Sequence, residues 1–422
     1  MLAALILLLS PASARAEGSA SGCAVVTRAN VASCAVAASA SVAAEREGVA
    51  AAGGRRAAAA PWFPSNPTLS FRGGRRAADS EGRGPVFNYY ASLSQEIDVS
   101  GQRGSRRSAA DAEVAARTSD VVATKRRVAA HAYAAYFDAL AARDALEVAK
   151  RLEATGADVA KATRARAEAG VGSKLDAEIT DAAALRLVQS RIHAEREQRV
   201  ALATLTTLLG RDPTQPPAIA SGDLEPLGGS DALAASANLR IVQERPEVKA
   251  LEHEQRAHAS RAQALRRAVF PTLTLSIYAE NDGYNERVLG AGLALPLPLP
   301  QPVGRTYVGE AAESEALARQ AGALSLQLTR DLSNALANAA AAYEAARAEA
   351  ALFTPERITR TERIIADMAA EVEAGRLAVR DAVLAQQQLM DVLRARVEAR
   401  HGLAIASVEL SLAAGAPLEG AR

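Results

Sequence analysis

Aromatic side chains are scarce in this chain. Phe, Trp and Tyr make up 4% of its 422 residues, although apolar residues reach 49%. A globular core of this size normally holds more aromatic volume. Abundant alanine with Leu, Val, Glu and Arg instead suits long helices packed closely side by side. Net charge is lacking too: 49 Lys and Arg against 48 Asp and Glu leave +1, so no basic field supports binding to nucleic acid. The Arg pairs at 55–56, 75–76, 106–107 and 126–127 are scattered and read as solvated surface. Beyond the N-terminus no stretch approaches 18 uninterrupted apolar residues, so no transmembrane helix is expected. Between Pro85 and Pro213 there is no proline to break a helix. Histidines are few and dispersed (His131, His193, His253, His258 and His401), and no phosphate loop, nucleophile elbow or zinc motif occurs. The chain therefore offers no catalytic constellation, no metal site and no cofactor site; it does not read as an enzyme.

Cysteine is limited to Cys23 and Cys34. If residues 24–60 are helical, the two lie several turns apart and cannot bridge. Residues 1–16 resemble a secretory signal peptide, with apolar Leu2–Leu9 followed by small-x-small sites ending at Ala14 and Ala16. The usual positive start is missing, and a short buried apolar helix is the competing reading. Val31-Ala32-Ser33-Cys34 has the form of a lipoprotein cleavage box, but Arg15, Glu17 and Arg28 separate it from the apolar segment. Ala20-Ser21-Gly22-Cys23 is a poorer box, and acylation of either cysteine stays open.

What the chain does have is a long internal repeat. Glu168-Ala169-Gly170 recurs as Glu373-Ala374-Gly375, Asp176 as Asp381 and Gly210 as Gly415, all 205 residues apart. Pro67-Thr68-Leu69-Ser70 recurs as Pro271-Thr272-Leu273-Thr274. The period is far longer than a solenoid unit. It divides the chain into a first repeat over 17–210, a connector over 211–245 rich in Pro and Gly, a second repeat over 246–415 and a tail over 416–422.

Each repeat reads as a helix, two strands and a long helical hairpin. Period-two alternation places strands at about 67–74, 86–97, 271–281 and 288–297, with a polar loop from Gly73 to Pro85. The hairpins cover 103–209 and 304–413. The first helix runs without a stop signal from about Arg103 to Glu168, roughly 100 Å at 1.5 Å per residue. Gly170-Val171-Gly172 breaks it, and Ser173 with Asp176 makes a capping-box-like restart. In the second hairpin Thr354-Pro355 should kink or restart the helix. In the first repeat the helix before the strands has a weak apolar period, interrupted at Gly53-Gly54 and ended by Pro61-Trp62-Phe63-Pro64.

The strands have the length that crosses a membrane as tilted β-structure. Ordinary half-buried hairpins on a soluble domain are the alternative. Four strands cannot close a barrel, and an open edge is not tolerated in lipid. A membrane reading therefore requires two, three or four copies, and a conduit requires three or four.

This duplicated unit resembles the TolC family of outer-membrane efflux proteins. The resemblance rests on Asn66-Pro67-Thr68-Leu69-Ser70-Phe71, on Ser94-Gln95-Glu96-Ile97, and on the two tips, Ala169–Asp176 and Ala374–Asp381 followed by Ala385-Gln386. Short loops look most like the heavy-metal cation-efflux branch. The resemblance implies a mainly α fold with a membrane β-barrel portion. A trimer would form a 12-stranded β-barrel continued by a long α-helical barrel in the periplasm. It implies the outer-membrane channel of a tripartite efflux system, a passive duct for small molecules or metal cations. Its implied partners are a periplasmic adaptor, an inner-membrane pump of the resistance-nodulation-division type and outer-membrane lipid. Adaptor docking would fall on Gly170, Val171, Gly172 and Ser173 and on Gly375, Arg376 and Leu377. Asp381, with Glu373 nearby, would line the periplasmic aperture; Asp381 as a simple helix-start charge is an equal rival. The alternatives are the outer-membrane channel of type I secretion and a periplasmic coiled-coil adaptor or scaffold.

Overall fold

The computed structural model describes residues 23, 25–76, 84–219, 222–236, 239–270, 272–283, 286–297, 299, 303–304 and 306–418. The signal-peptide segment and the end of the tail lie outside them. Described elements run in the order β1 (Val25–Val26), α1 (Val31–Ala38), α2 (Ala40–Ala59), β2 (Thr68–Arg76), β3 (Val86–Ile97), α3 (Gln102–Glu168), α4 (Lys174–Leu208), β4 (Ala218–Ile219), α5 (Ser230–Ala235), α6 (Leu239–Gln243), α7 (Pro246–Arg267), β5 (Leu273–Asn281), β6 (Arg287–Ala294), α8 (Val308–Ala350), α9 (Pro355–Glu373) and α10 (Val379–Ala413).

The uninterrupted α3 spans 67 residues, as the proline-free stretch implies. In the second hairpin the equivalent helix stops after Ala350 and restarts at Pro355, where Thr354 caps the new start through Arg357 N. All four hairpin helices that end at a duplicated glycine end alike. Gly170, Gly210, Gly375 and Gly415 take positive φ. Each amide, with that of the following residue, closes back on carbonyls of the last helical turn, for example Gly170 N on Ala167 O and Val171 N on Arg166 O. This paired closure satisfies carbonyls the helix leaves open, and glycine supplies the left-handed backbone.

Strands β2, β3, β5 and β6 form one antiparallel sheet in that order. Its register sets Leu69, Leu93, Ile277 and Ala291 side by side, with Phe71, Ala91, Ala279 and Leu289 as the next apolar row. The opposite face carries Ser70, Ser92, Tyr278 and Gly290. There Ser70 and Ser92 share a 2.7 Å hydrogen bond, and Tyr90 stacks on Tyr278. The apolar face is open: Leu69 is 76% exposed, Phe71 66% and Leu289 84%. Among the described residues, the outer edges of β2 and β6 have no partner strand.

The sheet joins α3 through a short, tightly bonded corner. Gly101 turns with φ 74°, and Asp98 accepts from the amides of Ser100, Gln102 and Arg103, filling open donors at the start of α3. Arg103 lies over the Trp62 ring at 4.1 Å and donates to the Ala60 and Pro61 carbonyls. The largest core sits at mid-height, where Tyr133, Tyr136, Phe137 and Leu140 of α3 meet Leu205 and Leu209, Leu224 and Leu227 of the connector, and Val408 of α10. Three of the chain's aromatics, Tyr133, Tyr136 and Phe137, meet in this girdle, whereas Phe71, Phe87, Tyr89, Tyr90 and Tyr278 lie on the sheet.

Three expectations are corrected. Cys23 and Cys34 form a disulfide, with Cα atoms 6.0 Å apart. The helix assumed to hold both begins only at Val31, and the turn at 27–30 folds the extended segment back beside it. Strand β2 continues through Gly73-Gly74-Arg75-Arg76, which pair with Tyr89 to Val86, so the polar loop starts later than alternation suggested. Helix α2 runs on through Gly53 and Gly54, where the missing side chains face open space, and the real break falls earlier, at Ser39.

Candidate functional site

At the end of the helical hairpins far from the sheet, two tips lie together. The first tip is built by the end of α3 and the start of α4. Gly170 closes α3, Val171 is 70% exposed, and Ser173 accepts from Leu175 N to cap α4. A Cβ on Gly172 would come within 3.1 Å of the Ala167 amide and the Arg166 carbonyl carbon, so this second glycine suits the close packing of the turn on its own helix. Arg164 reaches across the hairpin to both oxygens of Asp181, at 2.7 and 2.8 Å.

The second tip joins α9 to α10. Gly375 N closes on Val372 O and Arg376 N on Glu371 O, both at 3.0 Å. Arg376 forms a two-pronged pair with Glu371, at 2.7 and 2.8 Å, and that hydrogen bonding holds the Glu371 carboxyl below the ordinary glutamate range. Leu377 is only partly exposed, because it packs on the cluster of Val159, Met368, Val372 and Ala382 below the tip. Glu373 and Asp381 are exposed. Asp381 occupies the first turn of α10, where a carboxylate meets the positive end of the helix. Among the described residues its carboxylate makes no ion pair.

One side chain connects the tips. Arg166, on the last turn of α3, donates to Val372 O at 2.5 Å and to Glu373 O at 3.3 Å. A guanidinium therefore sits at the negative end of α9. A Cβ on Gly375 would approach the Arg166 Nη1 to 2.8 Å, so glycine leaves room for the bridge as well as supplying the turn. Sequence reasoning did not single out Arg166. Its one signal is a basic residue four positions before the terminating glycine, which would ordinarily serve its own helix end.

The sequence-selected residues thus divide. Gly170, Val171, Ser173, Gly375 and Arg376 form the exposed surface of the two tips, whereas Gly172 is half-buried against its own helix and Leu377 belongs mainly to the packing beneath. Glu371 is neutralised by Arg376, which leaves Glu373 and Asp381 as the open acids near the second tip. Among the described residues no group of three or more His, Cys, Asp or Glu is arranged to hold a metal ion. No described helix is long and apolar enough to cross a membrane.

Residues 33–211 match the outer membrane efflux protein family. The full architecture superposes on the open-state MtrE outer membrane channel of Neisseria gonorrhoeae with a TM-score of 0.73, at 19% identity, covering 93% of this chain and 90% of that one. The fold is that of a TolC-like outer-membrane channel. VceC, an outer membrane protein of Vibrio cholerae, gives a TM-score of 0.72 at 16% identity, with 93% and 96% of the two chains covered. In sequence, the chain is 28% identical to Protein CyaE of Bordetella pertussis over 274 residues, 63% of this chain and 58% of that protein's length. In this TolC-like frame the sheet and the paired tips occupy opposite ends of the long helices.

Proposed function

We propose that this chain is the outer-membrane channel of a tripartite efflux system, a passive exit duct for small molecules or metal cations. The observation that carries the reading is the sheet. Its apolar side chains face outward without cover, its polar side chains line the other face, and among the described residues its two edges stay open. A soluble sheet buries its apolar face; here that face fits lipid, and the polar face fits an aqueous lumen. Three copies contribute twelve strands, enough to close the edges and leave a conduit.

The helices continue the duct into the periplasm, and the tips are its inner end. Gly170–Ser173 and Gly375–Arg376 present turns that another protein's backbone can approach closely, which suits docking of a periplasmic adaptor connected to an inner-membrane pump of the resistance-nodulation-division type. Arg166 holds the two tips of each chain together. With three copies, Asp381 and Glu373 place rings of carboxylate near the aperture and favour cations there. Energy comes from the pump, so the duct itself needs no catalytic group.

Purified protein added to a planar lipid bilayer should produce discrete, voltage-independent conductance steps, with a preference for cations that falls in Asp381→Asn. A bilayer that stays silent with correctly folded protein contradicts the duct.

A further inference from the structure

We propose that the Cys23–Cys34 disulfide is an oxidation-dependent clasp that seats the N-terminal arm in the mid-height core, and that it excludes acylation of either cysteine. The arm comprises Cys23, β1, the turn at 27–30 and α1. Val26, Val31, Ala32 and Ala35 are fully buried, packed in the cluster that holds Tyr133, Phe137, Leu140, Leu205 and Leu209. The arm therefore completes the core at the girdle.

Its leading end is held lightly. Among the described residues, strand β1 pairs with β4 at two positions, Val25 with Ala218 and Val26 with Ile219. Arg211 donates to Cys23 O at 3.0 Å, Arg28 to Pro226 O at 2.8 Å, and the Tyr133 hydroxyl to Arg28 O at 3.0 Å. A two-residue ladder is a weak attachment. The disulfide ties this end covalently to Cys34 on α1, which is itself 6% exposed. Closing the loop removes freedom that the arm would otherwise regain on leaving the core.

The same geometry opposes acylation. Processing before Cys34 would delete β1 and take Val26, Val31 and Ala32 out of the core. It would also place a lipid on a sulfur that lies inside that core. Acylation of Cys23 would consume its sulfur as a thioether and strand Cys34 as a buried thiol. Neither is compatible with the bridge.

Formation requires an oxidant, and a protein disulfide of the export compartment supplies it. A thiolate of one cysteine attacks the oxidant's disulfide to form a mixed disulfide. The other cysteine's thiolate then displaces the oxidant's sulfur. Cys23 and Cys34 are oxidised to the disulfide, and the oxidant leaves as a dithiol carrying the two protons. Only the source of the oxidant rests on the outer-membrane reading.

The test uses protein purified from membranes. Denatured without reductant, it should react with no maleimide; after reduction it should react at both cysteines, and its intact mass should contain no acyl chain. An acylated Cys23, or thiols reactive before reduction, overturns the proposal. Protein that conducts in bilayers yet carries two free thiols overturns the clasp alone and leaves the channel reading standing. For the seating role, trypsin cleavage after Arg28 should be at least about tenfold faster in the Cys23→Ser/Cys34→Ser double variant. The folded wild type treated with reductant should behave in the same way, which keeps the test valid if the variant assembles poorly. Unchanged cleavage in the reduced wild type overturns the clasp.

Discussion

Replacing Arg166 with Met keeps most of the stem and removes the guanidinium that bridges the tips. Two hydrogen bonds are lost, to Val372 O and Glu373 O. A bond from a charged donor contributes about 1.5–3 kcal/mol, and the lower end applies here, because Arg166 is half-exposed and Val372 O keeps its bond from Gly375 N. Loss of about 1.5 kcal/mol shifts the equilibrium between joined and separated tips roughly tenfold. Hydrogen exchange in the solubilised protein reads this directly. The amides of Gly375 and Arg376, bonded to Val372 O and Glu371 O, should exchange about tenfold faster. Those of Gly170 and Val171 should keep their rates, because their acceptors are backbone carbonyls of α3 that the substitution leaves in place. Unchanged exchange at the second tip would refute the bridge, and equal acceleration at both tips would show general fraying instead.

The two tip glycines give a matched pair. Gly170→Ala and Gly375→Ala both put a side chain at positive φ, costing about 1–2 kcal/mol each. Only the second also displaces Arg166, so its melting temperature should fall further and cargo resistance in cells should drop more; equal effects would argue against the crowding at Gly375. Acid should loosen the girdle. Glu247 is half-buried, and burial alone would raise its pKa, but the two-pronged Arg245 pair, a backbone hydrogen bond and the nearby Arg126 charge together outweigh that and hold it below the ordinary value of 4.5. A lowered folded pKa means that its stabilisation is present above the unfolded value and is lost as pH falls through the folded one. Glu247→Gln should therefore flatten the decline in melting temperature below about pH 4.5; an unchanged acid limb would exclude the pair as its source.

Much of the fold is written locally. The absence of proline and the duplicated glycines delimit α3, α4 and α10, because helix length and termination depend on nearby backbone chemistry. Thr354-Pro355 marks the restart of α9 for the same reason. Alternation gives the two faces of the sheet but not their direction. That the apolar side faces away from all other elements follows only from the register of β2, β3, β5 and β6. The misplaced features depend on distant partners. Gly73-Gly74 looks like a loop until β3 pairs with it. The Cys23–Cys34 bridge depends on a chain reversal that residues 24–60, read as one helix, conceal. Arg166 is ordinary in sequence because its partners lie more than 200 residues away.

The central claim is that one chain supplies one third of a closed barrel. Native mass measurement of the protein released from detergent micelles tests it most directly. The account requires a complex of three copies that persists in the gas phase and is lost when the sheet edges are disrupted. A single copy, stable and monodisperse without detergent, would contradict it.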